Sequence, residues 1–351
     1  MRRIPFLDVR ETGFDRVVHA YPGLAKELLK ASRRVLGSVS DTAFRLLLPS
    51  GDRLSYQWLL RTNNPYLAEI RHVAETLHVP GVYAFNLCFE WGCTSGVFAP
   101  DGDPRLVRVL DWPFPRLGEH LIVVRQAGVA GEFYNVTWPG VIGVFQGMAP
   151  GRFAASLNQA PMQRHRMTYA GDWFRNRQAV FRSTGLPPAH LLRKAFEEAA
   201  DFDQAKEMLA RTPVAVPVIY TLAGVGRDEG CVIERTERDH AIRPIVQDRV
   251  CAANHFESHL YRIGRGWRPR PIDSHGRVRM ARALPISSVD DRFAWFQPPI
   301  ANAHTRLVLW AHPGSGHLRA FGTEGARRVT EVFDLTDTLA VNPANAIPLP
   351  S

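Results

Sequence analysis

The stretch Asn86-Leu-Cys-Phe-Glu-Trp-Gly-Cys-Thr-Ser95, "NLCFEWGCTS", holds two of the four cysteines in a chain of 351 residues. Cys93 stands between Gly92 and a Thr-Ser pair, and an apolar, strand-like run with an acidic turn follows it, "GVFAPDGD". A cysteine at the start of a strand is most often a small buried hydrophobe. It can also be a metal ligand, a disulfide half or a nucleophile. For a nucleophile the position is odd, because 92 residues precede it.

The remaining cysteines narrow the choice. Cys88, Cys93, Cys231 and Cys251 form no CxxC pair and have no His/Cys ligand spacing, which speaks against structural zinc. Four cysteines in this length do not make a disulfide scaffold. The apolar fraction of 45% and charged fraction of 22% are those of a globular protein with a substantial core. The net charge of +9 comes almost wholly from arginine, since the chain has only Lys26, Lys30, Lys194 and Lys206. The arginines are interleaved with acidic residues, so a nucleic-acid partner is not expected. The densest run, Arg262 to Arg282, reads either as a basic patch or as arginine-rich genome bias. No apolar run has the length of a signal peptide or of a membrane span, and the expectation is a cytoplasmic protein with no integral membrane segment.

Pattern separates three regions. Between Pro22 and Val79 the apolar spacing is helical, as in "GLAKELLKASRRVL" and "NPYLAEIRHVAETLH". Short strand-like runs follow: "CTSGVFAP", "RLVRVLDW", "HLIVVRQA", "EFYNVTWPGVIGVFQG" and "RFAASLNQ". A helical interval over Pro188 to Arg211 precedes further strands, "VPVIYTLAG", "GCVIERTE", "HAIRPIV" and "RVCAANH", and a closing hairpin around Pro-Gly-Ser-Gly. Strand runs divided by a block of helices indicate α+β layers. The segment 266–272 and the tail "NPANAIPLPS" are the weakest points of the pattern. "GVGRDEG" (Gly224 to Gly230) lacks phosphate-loop spacing and reads as a hairpin turn. "GCTSG" is not G-x-S-x-G, and the thirteen histidines form no ligand set.

Two features favour a chemical role for Cys93. Arg108 and Asp111 follow it by fifteen and eighteen residues, the separation at which an adjacent antiparallel strand returns. A guanidinium there would lower the thiol's pKa, and a carboxylate could hold an ammonium group. Gly92 leaves room for a tight or strained backbone. Taken alone, Arg108 and Asp111 equally fit an exposed strand pair, and Asn254 a turn residue.

At this point the sequence resembles a known family, the N-terminal-nucleophile (Ntn) cysteine hydrolases, in the branch of acid ceramidase and N-acylethanolamine acid amidase. Penicillin acyltransferase and choloylglycine hydrolase are more distant members. The resemblance runs from about Pro65 to Phe321, through "LAEIRHVAETLHVPGVYAFNLCFEWGCTS", "RVLD", "WPGVIGVFQGMAPGRFAASLNQ", "GCVIER", "AANHFES", "IDSHGRVRMARAL" and "TRLVLWAHPGSGHLRAF". It implies an αββα sandwich of two antiparallel sheets between helical layers. It also implies a precursor cut at Gly92–Cys93 into an N-terminal helical chain, 1–92, and a catalytic chain, 93–351, that stay together.

The family's roles fall on Cys93 as nucleophile, Arg108 for the thiolate and substrate carbonyl, Asp111 for the Cys93 amine, Asn254 as oxyanion donor and Arg277 as the later arginine. Asn158 aligns with a family asparagine, either at the substrate or structural. His275 and Gly276 stand where more basic residues are expected, and "EWGC" is shorter than in the ceramidases. Trp91, Trp112, Trp138 and Phe145 are candidates for an acyl pocket, or for core. The expected reaction is hydrolysis of an N-acylated amine or amino acid through a Cys93 thioester, with no cofactor or metal. Acyl transfer from the same thioester and an uncleaved, non-catalytic scaffold are the alternatives.

Overall fold

The computed structural model describes residues 1–14, 16–35, 41–87, 92–165, 168–262, 266–268 and 272–336. Cys88, Glu90, Trp91, the middle of the Pro/Arg-rich segment (269–271) and the tail from 337 lie outside the described residues.

The chain begins with a short strand, β1 (Phe6–Asp8), followed by α1 (Arg16–Ala20), α2 (Pro22–Val35), α3 (Asp41–Arg61), α4 (Leu67–Leu77) and α5 (Val82–Asn86). In α4 the residues Leu67, Ile70, Val73 and Leu77 repeat at helical spacing and are all buried. Strands follow: β2 (Gly92–Phe98), β3 (Arg105–Asp111), β4 (Ile122–Gly128), β5 (Gly131–Thr137), β6 (Gln146–Ala149), β7 (Phe153–Gln159) and the two-residue β8 (Met162–Gln163). The central helices are α6 (Tyr169–Arg182), α7 (Pro188–Glu198) and α8 (Phe202–Arg211). The expected helical interval from Pro188 to Arg211 consists of two helices. Asp201 breaks it, because its side chain accepts the Gln204 N–H and caps α8.

After these come β9 (Val218–Ala223), β10 (Gly230–Arg235), β11 (His240–Pro244), β12 (Arg249–Ala252), β13 (Trp267–Arg268), α9 (Ser274–Ala283), β14 (Thr305–His312), β15 (His317–Glu324), β16 (Arg327–Arg328) and β17 (Phe333–Asp334). "GVGRDEG" is the turn between β9 and β10, as its sequence predicts.

One sheet has the order β1-β4-β5-β6-β7-β9-β10-β11. The other runs β12-β2-β3-β14-β15-β16, with β17 also on β15. Strand pairing is antiparallel apart from β1, which joins β4 in parallel. The first 92 residues are therefore not purely helical, since they also supply an edge strand.

Alternation along β2 distributes its side chains between two cores. Cys93 and Val97 lie in the larger core, which includes β7 and β9 residues of the facing sheet. Phe98 lies in a second core with Val278 and Ala281 of α9. Helix, sheet, sheet and helix are the four layers, an αββα sandwich.

The segment before Cys93 is tied down by buried polar contacts. Arg193 of α7 donates to both Glu69 oxygens at 2.7 and 2.8 Å, to Glu197 at 2.8 Å and to the Ile142 carbonyl at 3.0 Å. It also lies 4.3 Å from the centre of the Tyr66 ring. Burial works against its charge, but the Glu69 and Glu197 carboxylates outweigh that and raise its pKa. Asn86 donates to the Gly140 carbonyl at 3.1 Å and accepts from Ile142 N–H at 2.8 Å.

Candidate active site

Cys93 is the second residue of β2, with no solvent exposure. The β2–β3 register pairs Gly92 with Asp111, Cys93 with Leu110 and Ser95 with Arg108. The separations of fifteen and eighteen residues therefore return β3 beside Cys93, as expected. The pleat sends the two charged residues to opposite faces. Arg108 shares the inter-sheet side with Ser95 and reaches Asn158 of β7. Asp111 points to the α9 side, where Arg277 Nη1 lies 3.5 Å from its Oδ2 and Thr305 Oγ donates to its Oδ1 at 2.8 Å.

Arg277 is the hub on that side. It is fully buried on the first turns of α9, and its guanidinium donates to the Cys93 carbonyl, to Thr94 Oγ1 at 2.8 Å and to Asn254 Oδ1 at 2.7 Å. Asn254, just past β12, also accepts the Cys93 N–H at 2.9 Å. Its Nδ2 donates to the Gln159 carbonyl at 2.8 Å. These partners fix the amide orientation: two donors converge on Oδ1 and a carbonyl takes Nδ2. Asn254 thus holds the Cys93 nitrogen, and one of its two amide hydrogens is engaged by Gln159.

Arg108 and Asn158 form the opposite wall. Asn158 Oδ1 accepts from Arg108 Nη1 and from Ser95 Oγ, while its Nδ2 donates to the carbonyls of Ala252 and Ala253 at 3.3 and 3.0 Å. Among the described residues, Arg108 Nε and Nη2 have no hydrogen-bond partner, although the residue is fully buried. Two buried guanidinia and one buried carboxylate leave an excess of positive charge around Cys93, which suits a developing anion.

The thiol itself departs from the expectation of a lowered pKa. Burial pushes it above the ordinary thiol value, against the pull of Arg108 and Arg277, and Asp111 adds to the rise. Burial also lowers the Arg277 pKa, against the pull of Asp111. Gly92 has no left-handed backbone. A Cβ there would lie 2.6 Å from Ile272 Cδ1, the tip of a side chain that can give way, and 3.4 Å from Asp111 Cβ, so the site is tight without demanding glycine.

Trp138 and Phe145 are placed differently from the expected acyl pocket. Both are buried in an aromatic cluster around Trp112, with ring centres 5.9 to 6.3 Å apart, and Trp138 Nε1 donates to the Leu117 carbonyl at 2.9 Å. Apolar burial makes them core in this form of the chain. A cavity of about 60 Å³ opens instead beside Gln159, lined also by Met162, Trp173, Asn176, Val180 and Glu237. The Arg262–Arg282 run is not a continuous basic patch among the described residues, since Arg268 pairs with Asp172, Arg282 with Glu257, and Arg277 is buried.

Thr94, Ser95 and Gln159 were not singled out from the sequence, although the first two are part of the quoted stretch. Their signal is the strand alternation itself, which alternates the faces that follow Cys93. Thr305 carries no local signal.

Two face-packed antiparallel sheets between helical layers, with a cysteine near the start of a central strand, define the Ntn-hydrolase αββα fold. A solved structure with this fold, the Caenorhabditis elegans N-acylethanolamine-hydrolyzing acid amidase ortholog, superposes with a TM-score of 0.50 at 21% identity, over 63% of this chain and 93% of that one. The chain is homologous to N-acylethanolamine-hydrolyzing acid amidases and acid ceramidases. It is 32% identical over 233 residues to the N-acylethanolamine-hydrolyzing acid amidase of Oryctolagus cuniculus, covering 63% of this chain and 60% of that protein. With the Rattus norvegicus amidase it shares 30% over 206 residues, 53% of this chain and 54% of that one. With the acid ceramidase of Heterocephalus glaber it shares 23% over 199 residues, 50% and 49%. The chain spans about half the length of the curated relatives it matches. No family model matches it.

Proposed function

We propose that the chain is a self-processing cysteine amidohydrolase acting on N-acylated amines or amino acids. The Cys93 Sγ attacks the Gly92 carbonyl, the Gly92–Cys93 C–N bond breaks, and the acyl group passes to sulfur. The thiol proton goes to the departing Cys93 nitrogen, which becomes the free amine, and water then hydrolyses the thioester to a Gly92 carboxyl and the free Cys93 thiol. The pieces 1–92 and 93–351 remain associated, a reading supported by the buried Arg193, Asn86 and Tyr66 contacts between them.

The freed α-amine titrates near ~8 and accepts the thiol proton. The thiolate attacks the substrate's amide carbonyl, the amine leaves with that proton, and water releases the acid. Asn254 Oδ1 and Asp111 hold the amine, Arg277 braces the Cys93 carbonyl, and Arg108 offers its unpartnered donors to the oxyanion. Asn158 orients Arg108.

The observation that carries this reading is the Asn254–Cys93 N–H hydrogen bond within a buried, net-positive cluster. Intact mass of the purified protein, followed over time, tests it. The expected outcome is two chains, the larger beginning at Cys93, with Cys93→Ala abolishing both the cut and turnover of an acyl amide. A wild-type chain that stays whole and turns over no amide refutes it. Release of free acid, rather than a new amide when a second amine is supplied, separates hydrolysis from acyl transfer.

A further inference from the structure

The strand facing Asp111 carries an irregularity. β14 pairs with β3 through Leu307–Leu110 and then Thr305–Asp111, so the register shifts by one residue at Arg306. In a regular ladder Arg306 would stand opposite Asp111. The bulge puts Thr305 there and turns Arg306 aside, where its guanidinium donates to the carbonyls of Phe114 at 2.7 Å and Thr305 at 2.8 Å. A neutral hydroxyl therefore meets the carboxylate in place of a second guanidinium. Thr305 and Asp111 both have no solvent exposure.

The proton inventory gives this contact its direction. Thr305 Oγ1 accepts the Asn302 N–H at 3.0 Å, and its single hydrogen goes to Asp111 Oδ1, 2.8 Å away. Among the described residues, Asp111 Oδ2 has no hydrogen-bond partner, and Arg277 Nη1 lies 3.5 Å from it. Asp111 stands opposite Gly92 in the β2–β3 register, beside the Gly92–Cys93 bond. The Cys93 N–H is held by Asn254 Oδ1, which also takes Arg277 Nη2. Cutting the bond turns a nitrogen with one hydrogen into an amine with two or an ammonium with three. The added hydrogens need a further acceptor, and a bare, buried carboxylate oxygen lies across the strand pair.

We propose that Thr305 is a positioning residue for the Cys93 amine: its hydroxyl anchors one Asp111 oxygen and so keeps the other open to that amine. This rests on Cys93 becoming an N-terminal nucleophile. Without the hydroxyl, the carboxylate is free to turn and chelate the Arg277 guanidinium through both oxygens, the favoured geometry for such a pair. The amine then loses its second acceptor, both as it leaves Gly92 and when it takes the thiol proton during turnover. Thr305 acts on the nucleophile's base rather than on substrate, so its effect falls on the chemical step.

Two measurements test this. The first compares wild type, Thr305→Val and Thr305→Ser for self-cleavage and for hydrolysis of an acyl amide, with turnover expressed per titrated Cys93 thiol. The self-cleavage rate and kcat are each expected to fall about tenfold in Thr305→Val, the loss of one hydrogen bond. KM should stay within about twofold, and Thr305→Ser, which keeps the hydroxyl, should restore both rates. Thr305→Ala replaces the valine chain if that chain does not fold. The second is the crystal structure of the uncut Cys93→Ala chain carrying each substitution. Thr305→Val should bring both Asp111 oxygens onto Arg277, and Thr305→Ser should leave one open. An active wild type with an unmoved Thr305→Val rate, a loss that serine does not restore, or a carboxylate that stays in place overturns this role alone. A wild-type chain that neither cuts itself nor turns over amide refutes the functional reading, and this role falls with it.

Discussion

Arg277→Met in the Cys93→Ala chain isolates the energetics of the site from any cut. Arg277 and Asp111 are both fully buried, 3.5 Å apart, and the other Asp111 oxygen accepts from the Thr305 hydroxyl at 2.8 Å. Removing the guanidinium leaves a buried carboxylate without its countercharge, which costs about 3–5 kcal/mol. The lost hydrogen bonds to the Cys93 carbonyl, Thr94 and Asn254 are part of the same rearrangement and are not added separately. Asp111→Asn removes the orphaned charge, so the double variant should recover part of the loss, with a coupling of about 2 kcal/mol. Urea unfolding followed by circular dichroism measures all four corners of the cycle. A single-variant loss below about 1 kcal/mol, or additivity within about 0.5 kcal/mol, would show that the pair is not the electrostatic centre described here.

Two further outcomes follow from the packing. His190 is fully buried, takes Asn64 Nδ2 on its Nδ1 at 2.9 Å, and burial, with Arg193 nearby, lowers its pKa from 6.5 to about 3. The unfolded chain therefore binds a proton that the folded chain refuses, and stability falls as pH drops from 6.5 toward 3, by up to about 1.4 kcal/mol per pH unit. Urea midpoints between pH 6.5 and 4.5 should show this slope weakened in His190→Gln, and an unchanged slope refutes it. Arg193→Met should cost about 3 kcal/mol by leaving Glu69 and Glu197 without their countercharge, read as a lowered urea midpoint. An unchanged urea midpoint would contradict the role given to Arg193.

Several missed elements have physical explanations. The helix α6 shows no apolar face in the sequence because Tyr169, Trp173, Phe174 and Phe181 are exposed. Helix α9 reads as a basic run, because one buried arginine cannot be told from exposed ones by composition. Trp138 and Phe145 look like pocket residues only while their packing against Trp112 is unknown.

The sequence by itself determined the hairpin that sets Arg108 and Asp111 beside Cys93, because antiparallel register over a short connection is a local property. It also determined the α+β layering, through the strand and helix periodicities. Only the tertiary structure decided that Arg108 and Asp111 serve opposite faces of one strand. It likewise brought Asn254 and Arg277 to Cys93 across 161 and 184 residues. Asn254 arrives through the pairing of β12 with β2 in one sheet and Arg277 through the packing of α9 on that sheet, and no local spacing encodes either. The same packing raises the pKa of the thiol, since full burial outweighs two nearby guanidinia.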